Sequence, residues 1–122
     1  MALATVGDPK YISIRSFRKS GVAVDTPVWG AAGNGRIYVT TPPDSGKGKR
    51  IRNNPQIEVA PCDMRGRLTG DFVPAEAQFT DDAATFATAM GLLKRKYGIQ
   101  FRLVMLRNRK TEPIILEIRD RS

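Results

Sequence analysis

Alternating apolar and polar residues predict β-strands along the first two thirds of the chain. Ile12 and Ile14 share one face of a first strand over Tyr11–Phe17, and a second alternating run covers Val22–Trp29. Pro27 has no backbone N–H to donate to a neighbouring strand. We therefore expect the second strand to carry an irregularity or to lie at a sheet edge near Pro27.

Three further strands follow from the same alternation and from turn residues. Gly33-Asn34-Gly35 is typical of a hairpin turn, because these residues tolerate positive φ. The predicted third, fourth and fifth strands cover Arg36–Thr41, Gln56–Cys62 and Arg67–Phe79, the last with bulges at Gly70 and Pro74. Successive hairpin-like connections predict an antiparallel sheet closed into a small barrel.

The last third of the chain changes to a helical period. The predicted helix starts at Thr80-Asp81-Asp82 and ends at Gly98, with a second short helix around Phe101–Met105 and a last strand over Pro113–Ile118. The first of these helices has an apolar stripe whose residues are spaced three or four apart, namely Ala83, Phe86, Met90, Leu93 and Tyr97. The sequence thus predicts a mainly β fold of six strands with flanking helices.

A basic loop, Ser45–Arg52, follows the third strand and carries four cations in eight residues. Ser45 is a candidate N-cap for a short helix that must end before Pro55. The free N–H groups of Gly46, Lys47 and Gly48 would then lie at the positive end of the helix, where a phosphate binds well. A solvated basic loop remains the alternative, because the spacing matches neither the Walker pattern nor the dinucleotide fingerprint.

Composition narrows the possible chemistry. The 122 residues suit one domain over residues 1–122, and no segment approaches the roughly 20 apolar residues of a membrane span, so we expect a cytoplasmic protein. With no histidine and only Cys62, the chain cannot build a Ser-His-Asp triad, a Cys-His pair or a common zinc site. The net charge of +8 indicates an anionic partner, and an enzyme of this composition would rely on a cofactor.

Four segments carry a resemblance to a known family. They are Tyr11–Gly21, Thr26–Trp29, Tyr38–Pro55, and Ala60–Asp63 with Gly66 and Gly70. In their order and spacing they resemble the split β-barrel oxidoreductases related to pyridoxamine 5′-phosphate oxidase, in particular the branch that uses the deazaflavin coenzyme F420. The resemblance implies a six-stranded antiparallel split β-barrel of the FMN-binding type.

The same resemblance implies a cofactor site. The phosphate of F420 or FMN would lie on Ser45, Lys47, Gly48 and Lys49. The tricyclic ring would lie against Pro27, Val28 and Trp29, with Thr40 and Thr41 approaching the ring and its side chain. Members of this family are homodimers with the cofactor groove between subunits, so the partner chain would complete the site.

The resulting hypothesis is an F420-dependent oxidoreductase that transfers a hydride between the deazaflavin and a small organic substrate. The alternatives are an FMN-dependent oxidase of the same fold, or a barrel that binds a cofactor or nucleic acid without turnover. Nucleic acid is the weaker interpretation, because most of the nine aromatic residues occupy apolar periodic positions. Two features have competing explanations: Trp29 could pack in the barrel, and the seven cations between Lys94 and Lys110 could be solvated or could contact the acidic tail of F420. Cys62 is expected to be a buried apolar residue without a catalytic role.

Overall fold

The computed structural model describes Val6 and residues 9–41, 45–80, 82–107 and 114–121. The strands are β1 (Tyr11–Phe17), β2 (Ala23–Val28), β3 (Ala31–Gly33), β4 (Arg36–Thr41), β5 (Gln56–Cys62), β6 (Val73–Thr80) and β7 (Ile114–Asp120). The helices are α1 (Gly46–Asn53), α2 (Ala83–Tyr97) and α3 (Ile99–Arg107). Predictions that involve Asp81, 108–110 or Pro113 lie outside the described residues.

The seven strands form one antiparallel sheet in the order β2-β1-β5-β6-β7-β4-β3. The mainly β, antiparallel prediction is confirmed, with one strand more than expected. The additional strand is β3, which pairs with β4 through the tight turn at Asn34 and Gly35. Both turn residues have positive φ, of 55° and 74°, as the hairpin prediction required.

The sheet curls so that its two edge strands are joined by a single bend at Gly30. A Cβ at this position would lie 3.0 Å from Ile12 Cδ1 on β1 and 3.0 Å from Ile37 Cγ2 on β4. Glycine therefore allows a close approach between the two ends of the sheet, which a larger residue would allow only if these side chains shifted. The interior that this curl encloses is filled by Ile12, Ile14, Ile37, Val39, Ile51, Ile57, Val59, Leu116 and Ile118, among others.

Two strand predictions need adjustment. β2 is an edge strand, as expected from Pro27, but its register with β1 continues through the Pro27–Ser13 pair without a bulge. The predicted fifth strand begins too early, because residues 67–72 contribute only the isolated Cys62–Leu68 bridge before β6 starts at Val73. Pro74 lies inside β6 in regular register opposite Glu58.

Helix α2 covers the outer face of β3 and β4. Asp82 is its N-cap, accepting a hydrogen bond from Thr85 N at 2.8 Å, and Gly98 ends it with a φ of 59°. The buried face runs through Ala89, Leu93 and Tyr97, whereas Ala83 and Phe86 from the predicted stripe are exposed. The buried stripe is therefore shorter than predicted and lies in the second half of the helix.

Candidate functional site

The basic loop forms the predicted helix, α1. Ser45 has extended backbone angles, and its hydroxyl oxygen accepts a hydrogen bond from Gly48 N at 3.0 Å. Lys49 N donates to the Ser45 carbonyl oxygen at 3.0 Å and starts the helical hydrogen-bond pattern. The Gly48 N–H is therefore used by the cap, which leaves the N–H groups of Gly46 and Lys47 at the positive end of the helix.

Lys47 and Arg50 form a pair of neighbouring cations on one face of α1, because residues three apart on a helix are neighbours. Lys47 is half-buried, and burial together with the charge of Arg50 lowers the pKa of its ammonium group to about 8. Within the described part of the chain, neither side chain is ion-paired with a carboxylate. Two adjacent positive charges without an acid favour the binding of an anion.

The Arg50 guanidinium is held over the first turn of α1. Its Nε donates to the hydroxyl oxygen of Ser16 on β1 at 2.7 Å, and Ser16 is fully buried. A Cβ at Gly46 would lie 3.1 Å from Arg50 Nη1, so the missing side chain makes room for the guanidinium. We call Ser45, Gly46, Lys47 and Arg50 the cation cradle.

Lys49 lies outside the cation cradle. It is exposed, and residues two apart on a helix do not face each other, so its side chain leaves α1 on the side away from Lys47. Gly48 is buried beneath the cap. Of the four residues predicted to hold a phosphate, the structure brings Ser45 and Lys47 together with Arg50 and separates Lys49.

Thr40 and Thr41 end β4, the strand that leads into α1. Thr40 is half-buried, whereas Thr41 is fully buried on the same face as Ile37 and Val39. The Thr41 hydroxyl oxygen has no hydrogen-bond partner among the described residues. An unpaired buried hydroxyl costs on the order of 1–3 kcal/mol, so this end of the barrel has a polar group available for hydrogen bonding.

Pro27, Val28 and Trp29 lie at the end of β2, and β1 separates this strand from the rest of the sheet. Pro27 is exposed, and Val28 packs partly against the barrel interior. The Trp29 ring stacks on the Tyr97 ring, with centroids 4.5 Å apart and planes 5° apart. One face of Trp29 is therefore occupied by α2, as the packing explanation requires.

Tyr97 is a structural residue in this arrangement. Its hydroxyl accepts a hydrogen bond from Gly30 N at 3.0 Å and lies 2.7 Å from the Lys10 carbonyl oxygen. Burial raises the pKa of Tyr97 to about 12. The phenol therefore stays protonated at neutral pH and holds the bend beside Trp29.

No protein-family profile and no curated protein sequence matches the chain. Solved structures do match. HutZ, the heme storage protein from Vibrio cholerae, has a TM-score of 0.71 at 10% identity, covering 94% of this chain and 84% of that chain. The F420-H2 dependent reductase FDR-A has a TM-score of 0.64 at 14% identity, covering 88% and 93%. A candidate pyridoxamine 5′-phosphate oxidase from Listeria innocua has a TM-score of 0.59 at 13% identity, covering 96% and 88%.

The fold is a split β-barrel. Similarity at 10 to 14% identity shows the fold alone, so the chemistry of this split β-barrel rests on its own residues.

Burial raises the pKa of the Cys62 thiol, with a smaller contribution from the charge of Asp63, so the thiol is not poised for nucleophilic chemistry. The described residues contain no cluster of three potential metal ligands and no helix long and apolar enough to cross a bilayer.

Ser16 was not predicted as a member of this site, and Arg50 was predicted only as one of the cations of the basic loop, not as a phosphate ligand. Arg50 could have been found from helical spacing, because it follows Lys47 by three residues and Gly46 by four. Ser16 could not have been found from the sequence, because it contacts Arg50 only through the packing of α1 on β1.

Proposed function

We propose that this split β-barrel binds F420 through its phosphate and acts as an F420-dependent oxidoreductase on a small organic substrate. The observation that supports this most strongly is the Lys47–Arg50 cation pair over the first turn of α1. It combines two positive charges, free backbone N–H groups and a glycine that exposes the backbone. These are the features that a phosphate group needs.

The residues present fit the phosphate of such a cofactor. Lys47 and Arg50 would donate charge-assisted hydrogen bonds, each contributing about 1.5–3 kcal/mol. The N–H groups of Gly46 and Lys47 would add the contribution of the helix N-terminus. The Ser45 hydroxyl would keep its role as the cap that holds this turn in place.

The ring would extend from the cation cradle toward the ends of β2 and β4. Pro27, Val28 and Trp29 would contact it from one side, and Thr40 and Thr41 from the other. When bound, the deazaflavin supplies the hydride chemistry. The chain's own residues bind and orient it, and hydride transfer needs no protein acid or base.

We infer that two copies of the chain form the complete site in the cytoplasm. Met64 and Leu68 are large apolar side chains with 69% and 47% of their surface exposed. They flank the turn that follows β5, and Gly66 in this turn lies against Pro27. Covering this apolar surface with a second subunit would enclose the groove beside β2.

FMN is the second candidate cofactor, because the cation cradle holds a phosphate whichever ring it carries. A flavin-dependent oxidase of the same fold therefore fits the same residues. Heme, named for one structural neighbour, is not favoured by any observation on this chain, which contains no histidine to serve as an axial ligand.

Parallel titrations of the purified protein with F420 and with FMN test the proposal. We expect saturable changes in absorbance for F420, at lower concentration than for FMN, and turnover of an added reducible substrate with reduced F420. Lys47→Ala should weaken binding of both cofactors, whereas Lys94→Ala, which removes an exposed lysine on α2, should leave FMN binding within twofold. Absence of binding by both cofactors would reject the proposal.

A further inference from the structure

A second cleft, of about 320 Å³, lies on the outer face of the sheet, away from the cation cradle. It opens between the β3–β4 turn, β7 and the first turns of α2. Helix α1 packs instead on β1 and β6, and its Ile51 belongs to the barrel interior. Neither the phosphate site nor the proposed ring site uses any residue of this cleft.

The floor of the cleft carries a buried carboxylate. Glu117 is only 5% exposed, and Arg36 Nη1 lies 2.8 Å from its Oε1. Arg36 reaches Glu117 from the rim of the cleft, with 42% of its side chain exposed. Because guanidinium has five N–H donors and no other described carboxylate pairs with Arg36, most of its donors remain available.

Tyr38 adds a second polar group to the floor. It lies directly opposite Glu117 in the pairing of β4 with β7 and is 4% exposed. Its side chain lines the cleft, and no described residue is hydrogen-bonded to its hydroxyl. The hydroxyl is not one of the buried unpaired polar atoms of the described residues, so it reaches solvent at the cleft, where a ligand can contact it.

The cleft exists because α2 presents small residues to this part of the sheet. Ala84 and Thr88, four residues apart on one face of the helix, line its upper wall. The ion pair between Arg36 and Glu117 does not by itself require this space. The volume is at the lower end of the range for ligand pockets, so the ligand must be small.

We propose that this cleft binds a small α-amino or α-hydroxy acid. The ligand carboxylate pairs with the free N–H groups of Arg36, which match a carboxylate in two-point contacts. The neighbouring ammonium or hydroxyl group donates to Glu117, and the Tyr38 hydroxyl completes the polar contacts. A ligand with a carboxylate alone would bring a second negative charge beside Glu117, with only Arg36 to balance the two.

Three molecules of nearly equal size test this inference: L-alanine, L-lactate and propionate. They carry an ammonium, a hydroxyl or no polar group beside the carboxylate. In NMR titrations of the isotope-labelled full chain, we expect alanine or lactate to shift the Tyr38 and Glu117 amides, saturating with a Kd below about 10 mM. Propionate should bind at least about tenfold more weakly, because it offers Glu117 no donor in addition to Arg36.

A matched pair of variants on α2 provides the control. Thr88→Leu fills the cleft and should abolish the shifts, whereas Ala87→Leu places the same side chain at an exposed position outside the cleft. Lys47→Ala should leave the shifts unchanged, which separates this site from the cation cradle. The inference is overturned if no probe saturates, if propionate binds as well as the other two, or if Thr88→Leu binds like Ala87→Leu.

Discussion

Arg50 donates a hydrogen bond from its Nε to the hydroxyl oxygen of Ser16 across 2.7 Å, and so ties the guanidinium to a buried position of β1. We expect Ser16→Ala to release Arg50 and to weaken cofactor binding about two- to tenfold, the value of one ordinary hydrogen bond. Calorimetric titration of the variant measures the loss, and a thermal melt checks that the fold is retained.

A double-mutant cycle gives this prediction its control. If Ser16 acts by positioning Arg50, then Ser16→Ala should cost little further affinity in an Arg50→Ala background. Equal losses in both backgrounds would mean that Ser16 affects binding by another route.

The two lysines of α1 should differ in their effect on cofactor binding. Lys47→Ala removes a half-buried member of the cation cradle and should weaken binding roughly ten- to a hundredfold, as expected for a charge-assisted hydrogen bond. Lys49→Ala removes an exposed charge on the other side of the helix, worth about 0.2–1 kcal/mol. Equilibrium binding of both variants at one ionic strength compares them, and identical losses would contradict the placement of Lys49.

Cofactor binding should weaken as the pH rises above 8. The Lys47 pKa of about 8 lies below its ordinary value of 10.5, and a bound phosphate would stabilise the ammonium, so binding takes up a proton above pH 8. Between pH 7 and 9.5 we expect affinity for FMN to fall by about tenfold or more, at up to 1.36 kcal/mol per pH unit. The phosphate itself titrates near pH 6, outside this window.

Lys47→Ala is the control for this pH dependence and should give a nearly flat profile. The contribution of Lys47 to the free energy of unfolding depends on pH in the opposite direction from its contribution to binding. Between pH 8 and 10.5 the unfolded chain binds more protons than the folded chain, so this group makes the free energy of unfolding rise with pH. A binding profile that falls equally in the wild type and in Lys47→Ala would exclude Lys47 as the titrating group.

Salt should distinguish F420 from FMN. F420 carries an acidic tail beyond its phosphate, and exposed cations such as Lys94, Arg95 and Arg102 each contribute only about 0.2–1 kcal/mol to such a contact. We expect tighter binding of F420 at low ionic strength and a smaller difference near 0.5 M salt, where the Debye length is about 4 Å. A preference for FMN at every salt concentration would favour the flavin oxidase.

Sedimentation velocity should show a dimer at micromolar concentration. The exposed apolar residues Met64 and Leu68 lie beside β2, and the second subunit of the dimer would cover them. Met64→Asp should shift the equilibrium toward monomer and weaken cofactor binding at the same time, since the groove is proposed to be shared. A monomer that binds cofactor at full strength would contradict a shared site.

Local patterns were sufficient to predict much of this fold. The alternation of apolar and polar residues predicted β1, β4 and β5, because each of these strands has one face toward the barrel interior. Asn34 and Gly35 predicted the turn between β3 and β4. The cap at Ser45 was also visible, because capping depends on residues within one helical turn.

Features that depend on tertiary packing were missed. β3 is only three residues of alanine and glycine and has no alternation to detect, so it is a strand only because β4 lies beside it. Phe86 matches the helical period but is 40% exposed, because α2 meets the sheet mainly through its second half. The cleft beside Glu117 joins three distant segments and has no sequence signal at all.

The bend at Gly30 connects the two edges of the curled sheet, and the partner of its N–H is a side chain from α2, 67 residues later in the chain. No strand can supply that hydrogen bond, since Gly30 lies between β2 and β3. Lys96 reinforces the same point, with its Nζ 2.6 Å from the Gly30 carbonyl oxygen. These hydrogen bonds join the closure of the barrel to the docking of α2, so opening either one breaks contacts that hold the other.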